Sequence, residues 1–218
     1  MVHVWHCSVT KGGASLTSRR DREKEFKKQL IAEAAFHLFA ASSFEAVTVE
    51  DIARQAEFGK GTLYLYFDSK EEILIYIINH GIEELAQKIS ARFMQEADVR
   101  EALNQYMSLQ YDFYQKYHYM FISLMRRKSE GTLNIDHLVG SMCKLDAITE
   151  LVAGLLERGT REGIFTAVDS HKLARVIKNI LKGFSLEALE RGVIDGEKDL
   201  ELIKMILAHG IIAGGEKK

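Results

Sequence analysis

Between Thr48 and Lys70 the chain reads T-V-E-D-I-A-R-Q-A-E-F-G-K-G-T-L-Y-L-Y-F-D-S-K, and few folds accommodate that run. Val49, Ile52, Ala53 and Ala56 fall at i, i+3, i+4 and i+7, one face of a short helix. Thr48 stands just before it with Asp51 three residues on, so a hydroxyl can accept from a free amide of the first turn and an acid meets the positive helix end. The pattern breaks over Glu57, Phe58 and Gly59. A second short helix is predicted from Lys60 to Phe67. Small residues are needed where the two helices touch, and Ala53 and Ala56 are small.

Two short helices across such a break are the sequence form of a helix-turn-helix, whose second helix enters the major groove while the first crosses the backbone. Gly61 and Thr62 at the front of the second helix permit close approach to a duplex. Lys60 and Thr62 are the candidates for contacts near base edges. Thr48, Tyr64, Tyr66 and Lys70 carry groups suited to phosphate oxygens. The run resembles the TetR family of bacterial transcriptional regulators. The residues that carry the resemblance are Thr48-Val49-x-x-Ile52-Ala53-x-x-Ala56, then Lys60-Gly61-Thr62-Leu63-Tyr64-x-Tyr66-Phe67-x-x-Lys70-x-x-x-Leu74. A preceding helix over Phe26–Ala41, with Ile31, Ala34, Ala35, Leu38 and Phe39 as its apolar stripe, matches too. The similarity departs at the turn, where Glu57-Phe58-Gly59 replaces a Gly-Val-Ser-like sequence, and at Tyr66, where the family usually has histidine. Gly59 can cap without a side-chain acceptor, Phe58 should plug the small core, and Glu57 brings a negative charge towards the DNA face.

Across all 218 residues there is no proline, which removes the commonest helix breaker and fits an all-α protein. The formal net charge is −2, so this is not a polybasic nucleic-acid binder; affinity must come from a few placed contacts, doubled in a dimer. Cys7 and Cys143 make neither a disulfide framework nor a metal quartet. No segment is long and apolar enough to span a bilayer, and Met1–Ser18 lacks the apolar stretch of a signal peptide. A cytoplasmic location with no membrane attachment is the expectation.

Residues 1–21 read as a flexible extension, with Gly12, Gly13, Ser15, Thr17 and Ser18. His3, His6 and Cys7 within it read as tail rather than as metal ligands. Residues 22–68 form the helix-turn-helix domain and residues 69–218 an effector-binding and dimerisation domain. Ser69-Lys70-Glu71-Glu72 opens a long helix with a capping box. Further helices are predicted from Asp98 to about Tyr117, from Phe121 to Arg127, from Asp136 to about Gly159, from Asp169 or Ser170 to Glu190, and from about Lys198 to Ile212. Gly131 with Asn134, and Gly192, mark breaks.

The family resemblance implies an effector pocket in the second domain. Tyr106, Gln110, Phe113, Tyr114 and Tyr117 share one helical face, and Phe121 and Met125 lie one turn apart beyond it. Aromatic and methionine side chains make adaptable apolar walls, and Gln110 can orient a ligand. Met142, with His137 and Asn179, is a candidate for the far wall. The residues alone equally describe ordinary core. In TetR-like proteins the last two long helices of each subunit build a four-helix dimer bundle; here Ile177, Leu181, Phe184, Leu189, Ile203 and Leu207 are the candidates for that interface.

Enzyme motifs are missing: no H-E-x-x-H, no phosphate-binding G-x-x-x-x-G-K-[ST], no G-x-S-x-G. No catalytic residues, metal site or cofactor are expected. The reading is a homodimeric regulator, most simply a repressor, that binds a near-palindromic operator of double-stranded DNA and is released by a small apolar or aromatic effector. A helical-bundle enzyme, or an interaction module that no longer binds DNA, are the alternatives.

Overall fold

A computed structural model describes residues 18–131, 136–190 and 196–211. The described chain is helical without a strand: α1 (Arg19–Ala41), α2 (Val49–Gln55), α3 (Lys60–Leu63), α4 (Lys70–Gln95), α5 (Val99–Ser129), α6 (Asp136–Arg161), α7 (Ser170–Glu190) and α8 (Gly196–Ile211). The expected all-α class is therefore found. Most of the anticipated 1–21 extension, and the break at Asn134 and stop at Gly192, lie outside the described residues.

Two helices differ from expectation. α1 starts at Arg19 rather than Phe26, so Arg19, Arg20 and Asp21 are helical. Its first turns carry charge instead of an apolar stripe. They form because Ser18 accepts from the Asp21 amide at 3.1 Å and Lys27 pairs with Glu23 at 2.8 Å, four residues apart. α5 runs unbroken over 31 residues where two helices with a gap near Tyr117 were expected. No glycine or proline falls between Val99 and Ser129, so nothing in the backbone interrupts the ladder.

The chain divides into two compact units, one of Met1–His80 with Tyr119–Cys143, the other of Gly81–His118 with Lys144–Lys218. α4, α5 and α6 each supply residues to both. The first unit has a core of Ile31, Ala35 and Phe39 from α1, Phe44 and Val47 from the α1–α2 loop, Ile52 and Ala53 from α2, Leu63, Phe67, and Ile73, Leu74 and Ile78 from α4. The second packs Ile82, Leu85 and Ile89 of α4 with Tyr106 and Met107 of α5, Ile148, Val152 and Leu156 of α6, Ile177 and Leu181 of α7, and Ile203 of α8. Two glycines permit its closest approaches. At Gly81 a Cβ would run into the Tyr117 ring, and at Gly159 into the Phe165 ring.

α2 is closed at both ends by local chemistry. Thr48 and Asp51 form a reciprocal capping box, as their spacing predicts, with both amide–side-chain bonds at 3.1 Å. At the other end the Phe58 amide donates to the Ala53 carbonyl at 2.8 Å and the Glu57 amide to the Arg54 carbonyl at 3.2 Å. This is a Schellman closure, and its pivot is Glu57 at φ 59°, a conformation that favours glycine. Glu57→Gly should therefore stabilise the protein by about 1 kcal/mol, raising its midpoint by roughly 2–4 °C in thermal denaturation; an unchanged or lower midpoint contradicts the assignment.

Candidate nucleic-acid interface

The second helix of the motif is shorter than its sequence suggests. α3 spans Lys60–Leu63, and the chain then tightens: the Leu65 amide donates to the Thr62 carbonyl at 3.1 Å and the Tyr66 amide to the Leu63 carbonyl at 2.9 Å. The turn still reaches Phe67, whose amide donates back to Leu63 at 3.1 Å. Leu63 and Phe67 point into the core at 0% and 1% exposure. The opposite face is open. Lys60, Gly61 and Tyr64 are exposed, Thr62 and Tyr66 are half-buried, and Leu65 is the most exposed apolar side chain of the turn at 73%. A Cβ built at Gly61 would meet nothing within 4 Å, so this position faces free space. The core therefore turns one side of α3 inward and leaves the other able to meet a partner.

Both cations of the motif have a partner already. Lys60 forms an ion pair with Glu50 of α2. Its pKa is raised by the Glu50 hydrogen bond and charge, and that of Glu50 is lowered, most by the hydrogen bond from Lys60. Arg54 pairs with Asp51 at 2.9 Å. The Thr48 hydroxyl donates to Asp51 and accepts from its amide, so its capping role is occupied. Glu50 was not legible as a site residue, because it stands ten positions from Lys60 with no periodic relation to it.

Lys70 is built in differently from the expected phosphate contact. Its ammonium donates to the Phe44 carbonyl at 2.7 Å, the Val47 carbonyl at 2.8 Å and the Glu45 carbonyl at 3.4 Å, and stands 4.5 Å from the centre of the Phe44 ring. Partial burial lowers its pKa. Arg127, from the end of α5, lies over the same ring at 4.4 Å and bonds Glu71 at 2.9 Å, while Arg126 pairs with Glu45. Three cations thus grip the loop from which α2 begins. The residue types that do this, an Arg-Arg pair far along the chain and a lone Phe in a loop, carry no local signal.

The residues proposed for an effector divide between the units. Tyr106, Gln110, Phe113, Tyr114 and Tyr117 are all buried in the second unit at 7% exposure or less, and the Phe113 and Tyr117 rings meet at a tilt of 37° with centroids 4.9 Å apart. Phe121 belongs to the first unit and is half-buried; the side chains of Met125, Met142 and His137 lie outside the described residues, and Asn179 is exposed rather than part of a wall. A groove of about 400 Å3 on the second unit is lined by Arg92, Glu101, Asn104, Gln105, Ser108, Leu109 and Lys204, none of them a sequence candidate.

Four of the six dimer candidates already lie in the core of the chain. Ile177, Leu181, Ile203 and Leu207 are buried within the chain at 0%, 0%, 1% and 7% exposure, so they are core. Phe184 is half-buried, and the Leu189 side chain lies outside the described residues. The exposed apolar residues of these helices are Val176 on α7 and Leu202, Met205 and Ile206 on α8, at 42–54% exposure. Apolar stripes of α7 and α8 are wide enough to serve a core and a second face, and periodicity alone does not say which residue serves which.

Residues 31–77 match the sequence model of bacterial regulatory proteins of the tetR family. This chain is a TetR-family transcriptional regulator. Its head covers that match: the segment holds most of α1, the whole of α2 and α3, and the start of α4. Similarity extends past the head. The HTH-type transcriptional regulator YhgD of Bacillus subtilis is 24% identical over 190 residues, covering 84% of this chain and 98% of that protein. The Fatty acid metabolism regulator protein of the same organism is 25% identical over 186 residues, covering 80% and 95%. Among solved structures, the fatty acid degradation regulator FadR from Bacillus halodurans superposes with a TM-score of 0.67 at 22% identity, covering 88% of this chain and 96% of that one. The family and these relatives are regulators, not enzymes. No described helix of the TetR-family chain is long and apolar enough to cross a membrane.

Lys70→Ala should behave as loss of a structural clamp. Three loop carbonyls lose a charge-assisted donor, costing about 1–2 kcal/mol after discounting for partial exposure. DNA affinity should fall with the salt slope unchanged; a stable protein whose slope drops by about one instead marks a phosphate contact. Glu50→Gln frees Lys60 and should tighten DNA binding roughly two- to five-fold at low salt, an advantage that fades as salt rises; weaker binding by titration of labelled duplex counts against the pairing.

Proposed function

We propose that this regulator binds a near-palindromic operator as a homodimer and represses transcription until a small apolar or aromatic effector releases it. The observation that carries the DNA part is the exposed front of α3, Lys60–Gly61–Thr62 with Tyr64 beside it, on a head whose other face is committed to core. Lys60 and Thr62 approach base edges, while Tyr64, Tyr66 and the Thr48 end of α2 lie against phosphates. Two heads on a two-fold axis read half-sites about one helical turn, roughly 34 Å, apart. Such a protein works where the DNA is, in the cytoplasm.

The partner subunit meets Val176, Leu202, Met205 and Ile206, the apolar residues that α7 and α8 leave outside. The effector acts in the second unit, near the aromatic cluster of α5. A fatty acid metabolism regulator among the relatives agrees with an effector of largely apolar body. α4 and α5, which supply residues to both units, pass the change to the head. The effector works only through its preference for one state; a 100-fold preference for the DNA-free state is worth roughly 2.7 kcal/mol.

The test is binding of the purified protein to the DNA upstream of its own gene, followed by footprinting. A symmetric protected site is expected. Lys60→Ala should reduce discrimination at one base pair per half-site by roughly ten-fold. Tyr64→Phe should weaken all sequences alike. Met205→Asp with Ile206→Asp should yield a folded monomer in sedimentation analysis, with operator affinity lost. A dimer that survives this change, or a footprint without symmetry, overturns the arrangement.

A further inference from the structure

The second unit buries a polar side chain that its own core does not answer. Gln110 on α5 is 0% exposed, and neither its amide nitrogen nor its carbonyl oxygen has a hydrogen-bond partner. Other amides leave one atom so, as Asn79 Oδ1, Gln105 Oε1 and Gln115 Nε2 do; among the described residues Gln110 is the amide that leaves both. Ser185 on α7, also 0% exposed, adds an unpartnered hydroxyl to the same unit. An unanswered buried amide is a standing loss to the folded chain. Methionine or leucine would fill the position without it. Tyr106, Phe113, Tyr114 and Tyr117 around the helix give Gln110 an aromatic setting, all at 7% exposure or less.

We propose that Gln110 is the polar anchor of the effector site, and that the effector is an uncharged molecule presenting a hydrogen-bond donor beside an acceptor, an amide or lactam group on an aromatic body. This deepens the ligand-responsive reading above and depends on it. A carboxamide offers one donor group and one acceptor side by side, and a second amide edge complements it with two parallel bonds. Charge is excluded by the company Gln110 keeps. The buried polar residues of the unit are Gln110, His118, Thr149, Ser170 and Ser185; no Asp, Glu, Lys or Arg is among the buried residues described. The phenols of Tyr106 and Tyr114 are held neutral by burial, as is the imidazole of His118. The cation that reaches this core, Lys178, is 19% exposed at its side chain, donates to Thr149 at 3.0 Å and stands 3.9 Å from Asp146, so an entering carboxylate would meet an ammonium whose charge is already answered. The aromatic cluster is closed around Gln110, so the effector enters by parting it and fixes an otherwise minor arrangement.

The experiment uses the full chain, the Gln110→Met variant and three probes: 2-naphthamide, the isosteric anion 2-naphthoate, and choline as a cation. Thermal melts are read first. Gln110→Met should melt at or above the wild-type temperature, because it removes two unpaired buried atoms; a lower midpoint means that partners or a structural water serve Gln110 at rest and overturns the proposal. 2-Naphthamide at millimolar concentration should raise the wild-type midpoint by about 2 °C or more and leave Gln110→Met unmoved. A larger response to naphthoate or choline, no response to naphthamide, or an equal response in the variant overturns it. Release of upstream DNA is read second. Stabilisation through Gln110 with the DNA complex intact keeps the anchor and rejects the ligand-responsive reading. Release that persists in Gln110→Met keeps the reading and rejects the anchor.

Discussion

The Phe44 ring, with Lys70 at 4.5 Å and Arg127 at 4.4 Å, is the joint on which the recognition surface depends. The α1–α2 loop is short, polar and without a helix of its own, and its carbonyls need donors. Lys70 supplies them at Phe44 and Val47. Fixing Val47 fixes Thr48, the next residue, whose hydroxyl sets the first turn of α2. Ile52 and Ala53 then present a rigid wall, and Leu63 packs into the same core to set the rotation of α3. Two cations near one aromatic ring repel each other, yet each has compensation nearby: loop carbonyls for Lys70 and Glu71 for Arg127. Each cation over a ring is worth about 0.5–2 kcal/mol depending on its desolvation. The position of Lys60 and Tyr64 thus depends on side chains that lie outside α3 and hold the loop before α2.

The same head is electrostatically self-contained. Lys60 is tied to Glu50 and Arg54 to Asp51, and the chain carries a formal net charge of −2. Exposed pairs of this kind contribute little to stability. Their larger consequence is for binding. On the reading proposed above, a phosphate or base edge has to displace the Glu50 carboxylate before it can use Lys60, which mutes non-specific attraction to a duplex.

Local signals were the readable ones. The Thr48 cap of α2 and the start of α4 after Ser69 follow from residues within one turn and are present, although the box expected at Ser69 is half formed: Ser69 accepts from the Glu72 amide at 3.2 Å, while the Glu72 carboxylate accepts from the Asp68 amide at 2.7 Å. The start of α1 was missed because helix there comes from a cap and an ion pair rather than from apolar periodicity. The continuity of α5 was missed because an aromatic-rich change of composition looks like a break when it is only a change of environment. The loop contacts of Lys70 are illegible for a different reason. Its sequence position beside a helix start suits a phosphate equally well, and the carbonyls it takes lie 23 to 26 residues away. Periodicity does not separate the two faces of α7: Ile177 and Val176 are neighbours in sequence, yet one is core and the other is exposed.

α5 draws these points together. Its 31 residues hold the Gln110 stripe in one unit and Arg126–Arg127 in the other. A helix free of glycine and proline resists bending in its middle, because breaking the ladder there orphans backbone groups that only another element could satisfy. The rearrangement around Gln110 that the proposed effector site requires is therefore taken up at the ends of α5 more readily than within it. The basic end is held by ion pairs to Glu45 and Glu71, with 17–53% side-chain exposure across the four residues. Contacts of that kind are individually weak and reform easily with water or with other carboxylates. On the reading proposed above, a regulator needs strength in the element that carries a change and weakness in the contact that reports it, and an unbroken α5 with ion pairs at its basic end supplies both.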